Sequence, residues 1–293
     1  MPATERPAGE RPAGATWAAL FRRADAMLED RQVARWLVED ASGGTFPHVL
    51  DEPVTERAGR YFESMLARRA QGEPVQYVLG HWSFRHLDLM VDRRVLIPRP
   101  ETEVVVDVAL GELRRAGEGP LTAVDLGTGS GAIALSLALE QPNVQVWATD
   151  VSEDALSVAS ANLAGVGSAA GGRARFVQGS WWSALPGELA GAVDLVVSNP
   201  PYIPASELAE LSPEVRDFEP HGALVPGPSG LEALAHIIAG APHWLSARGS
   251  LVCEMAPHQA SEALAMAGAA GFADAFVRQD LAGRDRALVA RMA

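Results

Sequence analysis

Between Glu103 and Arg291, short apolar runs alternate with helical segments, and no other feature of the sequence narrows the fold as far. The strand-like runs are Leu121–Leu126, Val144–Thr149, Ala174–Gln178, Val193–Ser198, Ser250–Glu254, Phe272–Arg278 and Ala287–Arg291. Helical periodicity fills Glu103–Ala116, Ala132–Glu140, Glu153–Leu163, Leu231–Trp244 and Gln259–Ala269. Parallel neighbours need a long crossover, which a helix supplies. The alternation therefore predicts an α/β domain, a mostly parallel sheet with helices on both faces. Ligands of such sheets sit beyond the carboxyl ends of the strands, where the strand order reverses. The strand ends are where chemistry is to be sought.

The first of these ends reads Asp125-Leu126-Gly127-Thr128-Gly129-Ser130-Gly131-Ala132. Glycines at alternate positions let the backbone turn tightly and approach a ligand with no Cβ between them. Gly127, Gly129 and Ala132 also satisfy the relaxed dinucleotide fingerprint, so the loop alone fits a nicotinamide cofactor or S-adenosylmethionine. Asp150 closes the second run, where a carboxylate can accept from both hydroxyls of an adenosine ribose, or merely cap the helix that follows. Both candidate cofactors carry that ribose. Asp125 decides between them: its charge suits the ammonium of a methionine moiety, or the loop amides, and would repel a pyrophosphate. S-adenosylmethionine is the expected cofactor, held by Gly127, Thr128, Gly129, Ser130, Gly131 and Asp150. At the third strand end, Trp181 offers an apolar face for adenine, and packing is the alternative for it.

The fourth run leads straight into Asn199-Pro200-Pro201-Tyr202. Asn-Pro and Pro-Pro are ordinary turn dipeptides, which accounts for the prolines but not for their place at a buried strand end. An amide or exocyclic amine is a poor nucleophile because its lone pair is delocalised. A group that methylates one must hold the nitrogen in line with the methyl and favour its pyramidal form. The Asn199 carbonyl can accept one N–H, and the rigid diproline presents the Pro200 carbonyl for the other. Tyr202 can lie against the planar acceptor and face a cationic methyl. Asn199, Pro200 and Tyr202 are the expected catalytic residues. Asn199 also borders the cofactor, and Pro201 joins the substrate site.

Upstream, residues 1–14 repeat Glu-Arg-Pro-Ala-Gly and are expected to be a disordered tail. Thr16 is placed to cap a helix burying Trp17, Leu20, Phe21, Ala24 and Leu28. A second helix carries Val33, Trp36 and Leu37 and stops at Gly43-Gly44. A third opens near Thr55, buries Ala58, Tyr61, Phe62, Met65 and Leu66, and ends around Gly72. Together they predict a small bundle. From Trp82 to Pro98 the pattern alternates around a polar Asp92-Arg93-Arg94 corner, which predicts a hairpin, and Pro98-Arg99-Pro100 then predicts an extended hinge between domains.

With 24 Lys and Arg against 37 Asp and Glu, the net charge of −13 works against any general attraction to nucleic acid. The pairs Arg22-Arg23, Arg68-Arg69 and Arg93-Arg94 read as solvated faces. No apolar run has membrane-spanning length, and the start of the chain lacks a signal-peptide core. A lone cysteine, Cys253, fits a reducing compartment and a core position, so a cytoplasmic protein is expected. The seven histidines show no metal-ligand spacing, and no metal is expected.

In several segments the chain resembles the HemK/PrmC glutamine methyltransferases, which modify peptide chain release factors. The segments are Pro74–Gly80, Val95–Glu103, Asp125–Gly131, Asn199–Tyr202, Glu214-Val215, Phe218–Pro220, Ala223-Leu224, Gly230-Leu231, Asp280-Leu281 and Gly283–Arg286. The resemblance implies a helical N-terminal domain that docks substrate (15–80), a β-hairpin linker (81–98) and a seven-stranded, Rossmann-like class I S-adenosylmethionine-dependent methyltransferase domain (99–293). It implies a protein substrate that is a class I release factor, methylated on the side-chain amide of the glutamine in its Gly-Gly-Gln loop; separately, a monomer is expected. Carried over by position, Gly127–Gly131, Asp150 and Trp181 would bind the cofactor, and Asn199–Tyr202 the glutamine. The chain departs from the pattern at Ser180, where an acid is usual, and at Met255-Ala256-Pro257. Two other readings compete: methylation of an exocyclic amine on adenine or guanine, which the same tetrapeptide serves, and a cofactor-binding scaffold without turnover.

Overall fold

The computed structural model describes residues 16–293; the predicted tail, 1–14, lies outside the described residues. The chain divides into two compact units, one ending at Leu79 and the other running from Gly80 to Ala293.

The first unit contains α1 (Trp17–Leu28), α2 (Arg31–Ser42), α3 (Glu56–Ala70) and the short α4 (Val75–Leu79). Trp17, Leu20, Phe21, Val33, Leu37, Phe62, Met65 and Leu66 form one core, with Trp17 edge-on to Phe62. Asp30 caps α2 by accepting from the amides of Gln32 and Val33, and Thr55 caps α3 from Ala58. Thr16 does not cap α1 with its side chain. The amides of Trp17 and Ala18 instead find the carbonyls of Glu52 and Leu50, so the orphan donors are already satisfied. Tyr61, expected inside, is 45% exposed and donates its hydroxyl to Asp40. Arg68 is no solvated face: it pairs with Glu73 and donates to the carbonyls of Tyr77 and Val78, closing the end of α4.

The second unit opens with a hairpin of β1 (His81–Phe84) and β2 (Leu87–Met90), paired from His81 opposite Met90 to Phe84 opposite Leu87. Its turn is Arg85-His86, with Arg85 at φ +52°, and not the Asp92-Arg93-Arg94 corner. That corner is a separate turn in which the Asp92 side chain accepts from Arg94 N and the Asp92 carbonyl from Val95 N. Arg93 lies over the Phe218 ring. The periodicity misplaced the turn because Leu87, Leu89, Val91, Val95 and Ile97 are buried on both sides of it.

Next come α5 (Pro100–Ala116), β3 (Leu121–Leu126), α6 (Ala132–Glu140), β4 (Val144–Asp150), α7 (Glu153–Val166), β5 (Ala174–Gln178) and β6 (Val193–Ser198). The chain ends with α8 (Pro213–Phe218), α9 (Glu232–Trp244), β7 (Leu245–Glu254), α10 (Ala260–Ala269), β8 (Asp274–Gln279) and β9 (Asp285–Arg291). Pro100 opens α5 rather than extending a hinge, since its missing N–H costs nothing in a first turn. The seven strands run β5-β4-β3-β6-β7-β9-β8, with β9 antiparallel to both its neighbours and the other pairs parallel. This is the mostly parallel, seven-stranded sheet that the alternation predicts. The strand order reverses between β3 and β6. On one face Val124, Leu126, Val196, Leu251 and Leu288 pack with Leu234, Ile237, Ala263 and Ala267 of α9 and α10, and Cys253 is buried among them. Among the described residues, no helix is long and apolar enough to cross a membrane, and no group of His, Cys, Asp and Glu could hold a metal.

Candidate active site

A cavity of about 270 Å³ lies at the reversal, beyond the carboxyl ends of β3, β4 and β6. Its floor is the glycine loop after β3. The amides of Gly127 and Thr128 both donate to the Thr149 carbonyl at 2.9 Å, folding the loop over the end of β4. Gly129 stands at φ +56°, a conformation that L side chains rarely adopt, and nothing lies within 4 Å of where its Cβ would be. Its amide donates to Asp150 Oδ2 at 2.9 Å, while Asp150 Oδ1 accepts from Ser152 N. Ser152, not Asp150, caps α7. Each Asp150 oxygen keeps a lone pair for a hydroxyl on the cavity side.

Asp125 is not part of the cavity wall. It is fully buried under the loop, where its Oδ2 accepts from the Thr128 hydroxyl at 2.7 Å and from Ala134 N at 3.2 Å. Alternation along β3 sends Val124 and Leu126 to the opposite face. Asp125 thus ties the loop to the first turn of α6 rather than meeting a ligand ammonium directly. Burial pushes its carboxyl up to about 7, and Asp150 adds to the rise. Asp125 Oδ1 has no partner among the described residues.

The two adjacent tryptophans part company. Trp181 lines the cavity, with its ring against Gly127. Trp182 stacks on Trp244 and donates its indole N–H to the His236 carbonyl. Ser180 lines the wall where an acid was the usual expectation.

S-adenosylmethionine fits what is present. The loop leaves the space of the Gly129 Cβ open, Asp150 offers ribose acceptors, and Trp181 offers a flat apolar face. The two carboxylates Asp125 and Asp150, one with an unpartnered buried oxygen, favour a cation over a pyrophosphate.

Asn199 enters the wall from the end of β6, and Pro201 with it; Pro200 is buried, and neither Pro200 nor Tyr202 lines the cavity. From the wall, which Thr102 also lines, a chain of polar groups runs inward to Glu254 and Tyr202. Asn199 Nδ2 donates to Thr102 Oγ1 at 3.1 Å, and Thr102 donates to Glu254 Oε2 at 2.7 Å. The Tyr202 hydroxyl donates to Glu254 Oε1 at 3.4 Å. Burial pushes Glu254 up to about 7 against the pull of Thr102, Arg286 and Tyr202. Burial raises the Tyr202 hydroxyl too, with Glu254 adding to the effect, so it stays protonated. Gln259 donates to the carbonyls of Tyr202 and Gly230, anchoring the far end of the tetrapeptide. Among the described residues, no hydrogen bond of the chain occupies Asn199 Oδ1 or the Pro200 carbonyl.

Two segments border the opening, Arg94–Pro98 and Pro220–Ala223, and the buried Glu219 accepts from Arg99 to join them. Thr102, Glu254, Gln259 and the Arg99–Glu219 pair have no assigned role in the sequence reading. One signal could have found Glu254: it ends the strand next to β6, where the switch-point rule directs attention.

Over residues 110–211 the sequence matches the Methyltransferase small domain, and over 15–80 the PrmC N-terminal domain. It is 42% identical over 244 residues to the release factor glutamine methyltransferase of Cereibacter sphaeroides, which covers 83% of both chains. With the protein of that name from Geobacter sulfurreducens it shares 38% over 280 residues, 94% of both. Among solved structures, a methyltransferase from Pyrococcus furiosus superposes with TM-score 0.50 at 16% identity, over 81% of this chain and 98% of that one. The hMettl16 catalytic domain, solved with the MAT2A 3'UTR hairpin 6, gives 0.53 at 14%, over 81% and 82%. These two likenesses speak to fold alone. The identity to the named relatives holds over most of the sequence, and by it the chain belongs to the family of release factor glutamine methyltransferases.

Proposed function

We propose that the protein transfers a methyl group from S-adenosylmethionine to the side-chain amide nitrogen of the glutamine in the Gly-Gly-Gln loop of class I release factors. The observation that carries this reading is the state of Asn199: its NH₂ is held by Thr102 while its carbonyl oxygen is left for a donor at the cavity. When bound, the cofactor supplies a sulfonium-borne methyl carbon as electrophile. The chain's own part is placement. Asn199 Oδ1, at the wall beside Pro201, accepts one amide N–H. The Pro200 carbonyl and the Tyr202 ring, which do not line the cofactor cavity, meet the planar carboxamide from the other side of the tetrapeptide, the carbonyl accepting the second N–H. Each accepted bond contributes about 1 kcal/mol net. Holding the reacting atoms in line contributes up to about 7–11 kcal/mol, so orientation outweighs the bonds that achieve it. No strong base is needed, because the proton leaves from a nitrogen already made cationic. Gly127–Gly131, Asp150 and Trp181 hold the cofactor, and residues 15–80 dock the release factor as a folded protein.

Methylation of an exocyclic amine in nucleic acid would use the same corner, but the net charge of −13 opposes it. Incubation with labelled S-adenosylmethionine and either release factor or RNA and DNA separates the readings. Label is expected in release factor; label confined to nucleic acid would overturn the proposal, and label in neither would leave a binding scaffold.

A further inference from the structure

A carboxamide has two ends of nearly equal size and opposite hydrogen-bonding character. For Asn199 the difference decides whether the site works. With its oxygen toward the cavity it accepts the substrate N–H; turned over, it sets NH₂ against NH₂. Something must choose between the two, and among the described residues the one side chain that bonds the carboxamide is Thr102, at the cavity wall.

We infer that Glu254, acting through the Thr102 hydroxyl, fixes the orientation of the Asn199 carboxamide and is therefore a positioning residue for methyl transfer. This rests on the proposed reading of the site. A threonine hydroxyl has a single proton. In the Thr102–Glu254 contact of 2.7 Å that proton goes to the carboxylate, which has none to give once ionised, as it is above about pH 7, the point to which burial raises it. Thr102 Oγ1 can then only accept, and the group it accepts from is Asn199 Nδ2 at 3.1 Å. The amide NH₂ is thereby turned inward and the oxygen outward. Thr102 is 3% exposed and Glu254 1%, so bulk solvent does not compete for either.

The sheet register brings these groups together. Ser198 on β6 lies opposite Cys253 on β7, which sets Glu254 beside Asn199 as both strands end. Thr102 comes from the first turn of α5. The Tyr202 hydroxyl donates to the second carboxylate oxygen, and Arg286 on β9 lends positive potential that favours the anion, against Glu101 on α5. A carboxylate with a hydroxyl on each oxygen holds its plane, and Thr102 with it.

The test uses the full-length protein, with methylation of release factor followed at saturating cofactor. Thr102→Val keeps the shape and removes the hydroxyl, and kcat is expected to fall at least tenfold while calorimetric cofactor Kd stays within twofold. Thr102→Ser restores most of that loss. In an Asn199→Asp background, whose carboxylate has two identical ends, Thr102→Val is expected to cost less than twofold. Wild-type protein that fails to methylate glutamine would refute the proposed function itself. Wild-type activity with Thr102→Val unimpaired would overturn the positioning role alone. Equal losses for valine and serine, or a parallel loss of cofactor affinity, would make Thr102 a packing residue and overturn it as well.

Discussion

Asn199 and Asp150 sit at neighbouring parts of one cavity and are asked to do different things, so their removal should be felt by different constants. Asn199→Ala deletes an acceptor used by the substrate amide; kcat is expected to drop by about a hundredfold or more, with cofactor Kd little changed in calorimetry. Asp150→Ala removes acceptors for the ribose and the partner of Gly129 N, and should weaken cofactor binding about tenfold or more. An Asn199→Ala enzyme with normal turnover, or an Asp150→Ala enzyme with normal affinity, would remove that residue from its role. Both residues were legible in the sequence because each is a polar residue at the end of an apolar run. Thr102 and Glu254 were not. Their importance depends on the pairing of Ser198 with Cys253, a tertiary register that spacing along the chain does not encode. Asp125 was legible as a charge with either the loop or a ligand ammonium as its partner; the choice of the loop side, at Thr128 and Ala134 N, follows from the parity of β3.

The elements around the site are as consequential as its residues. The segment leaving β6 is pinned from outside: Gln259 donates to the Tyr202 and Gly230 carbonyls, and Gly230 sits at φ +78°. A Cβ at Gly230 would stand 2.6 Å from the Tyr202 carbonyl oxygen and 3.0 Å from Pro204. Backbone cannot yield as a flexible side chain does, so Gly230→Ala should cost about 1–3 kcal/mol of stability. It should also depress kcat, seen as a lower thermal midpoint with slower methylation. A variant with unaltered midpoint and rate would mean that the exit segment is free to shift. Strands β3 and β6 were readable from sequence nearly to the residue, since almost every position is buried and glycine or asparagine ends the run. Strands β4 and β5, more exposed, were readable from their apolar residues between helical segments. The hairpin was readable as a hairpin but not in its turn. Arg85 occupies a left-handed position with no glycine to announce it, and is held there by Glu140, Asp107 and its amide bond to Glu103. The extension of β7 back to Leu245 was hidden by its polar middle, Ser246 to Gly249.

At the scale of the whole molecule, buried carboxyls set how stability depends on pH. Asp125 rises from 3.8, and Glu254 from 4.5, to about 7 in the fold, so the folded state holds both protons more tightly than the unfolded chain. Their stabilising contribution is complete below about pH 4 and is lost as pH rises through 7. Glu112, held down to about 2 by Arg291, Arg115 and Ser250 in spite of burial, acts in the opposite sense but only at lower pH. Thermal midpoints of the ligand-free protein should therefore decline from pH 5 to pH 8, and Asp125→Asn should make the decline shallower; a midpoint that climbs over this range would contradict the assignment. Each unit has its own core, so the chain can be cut between Leu79 and Gly80. The remainder should lose more kcat/KM on intact release factor than on a short glutamine peptide, whereas equal losses would leave the helical unit without a docking role. The most direct test of all is a crystal structure of the protein with a Gly-Gly-Gln peptide and demethylated cofactor. The glutamine amide nitrogen should lie about 2.9 Å from both Asn199 Oδ1 and the Pro200 carbonyl, in line with the sulfur. A nitrogen held by other groups, or an Asn199 with its NH₂ facing the substrate, would contradict the account.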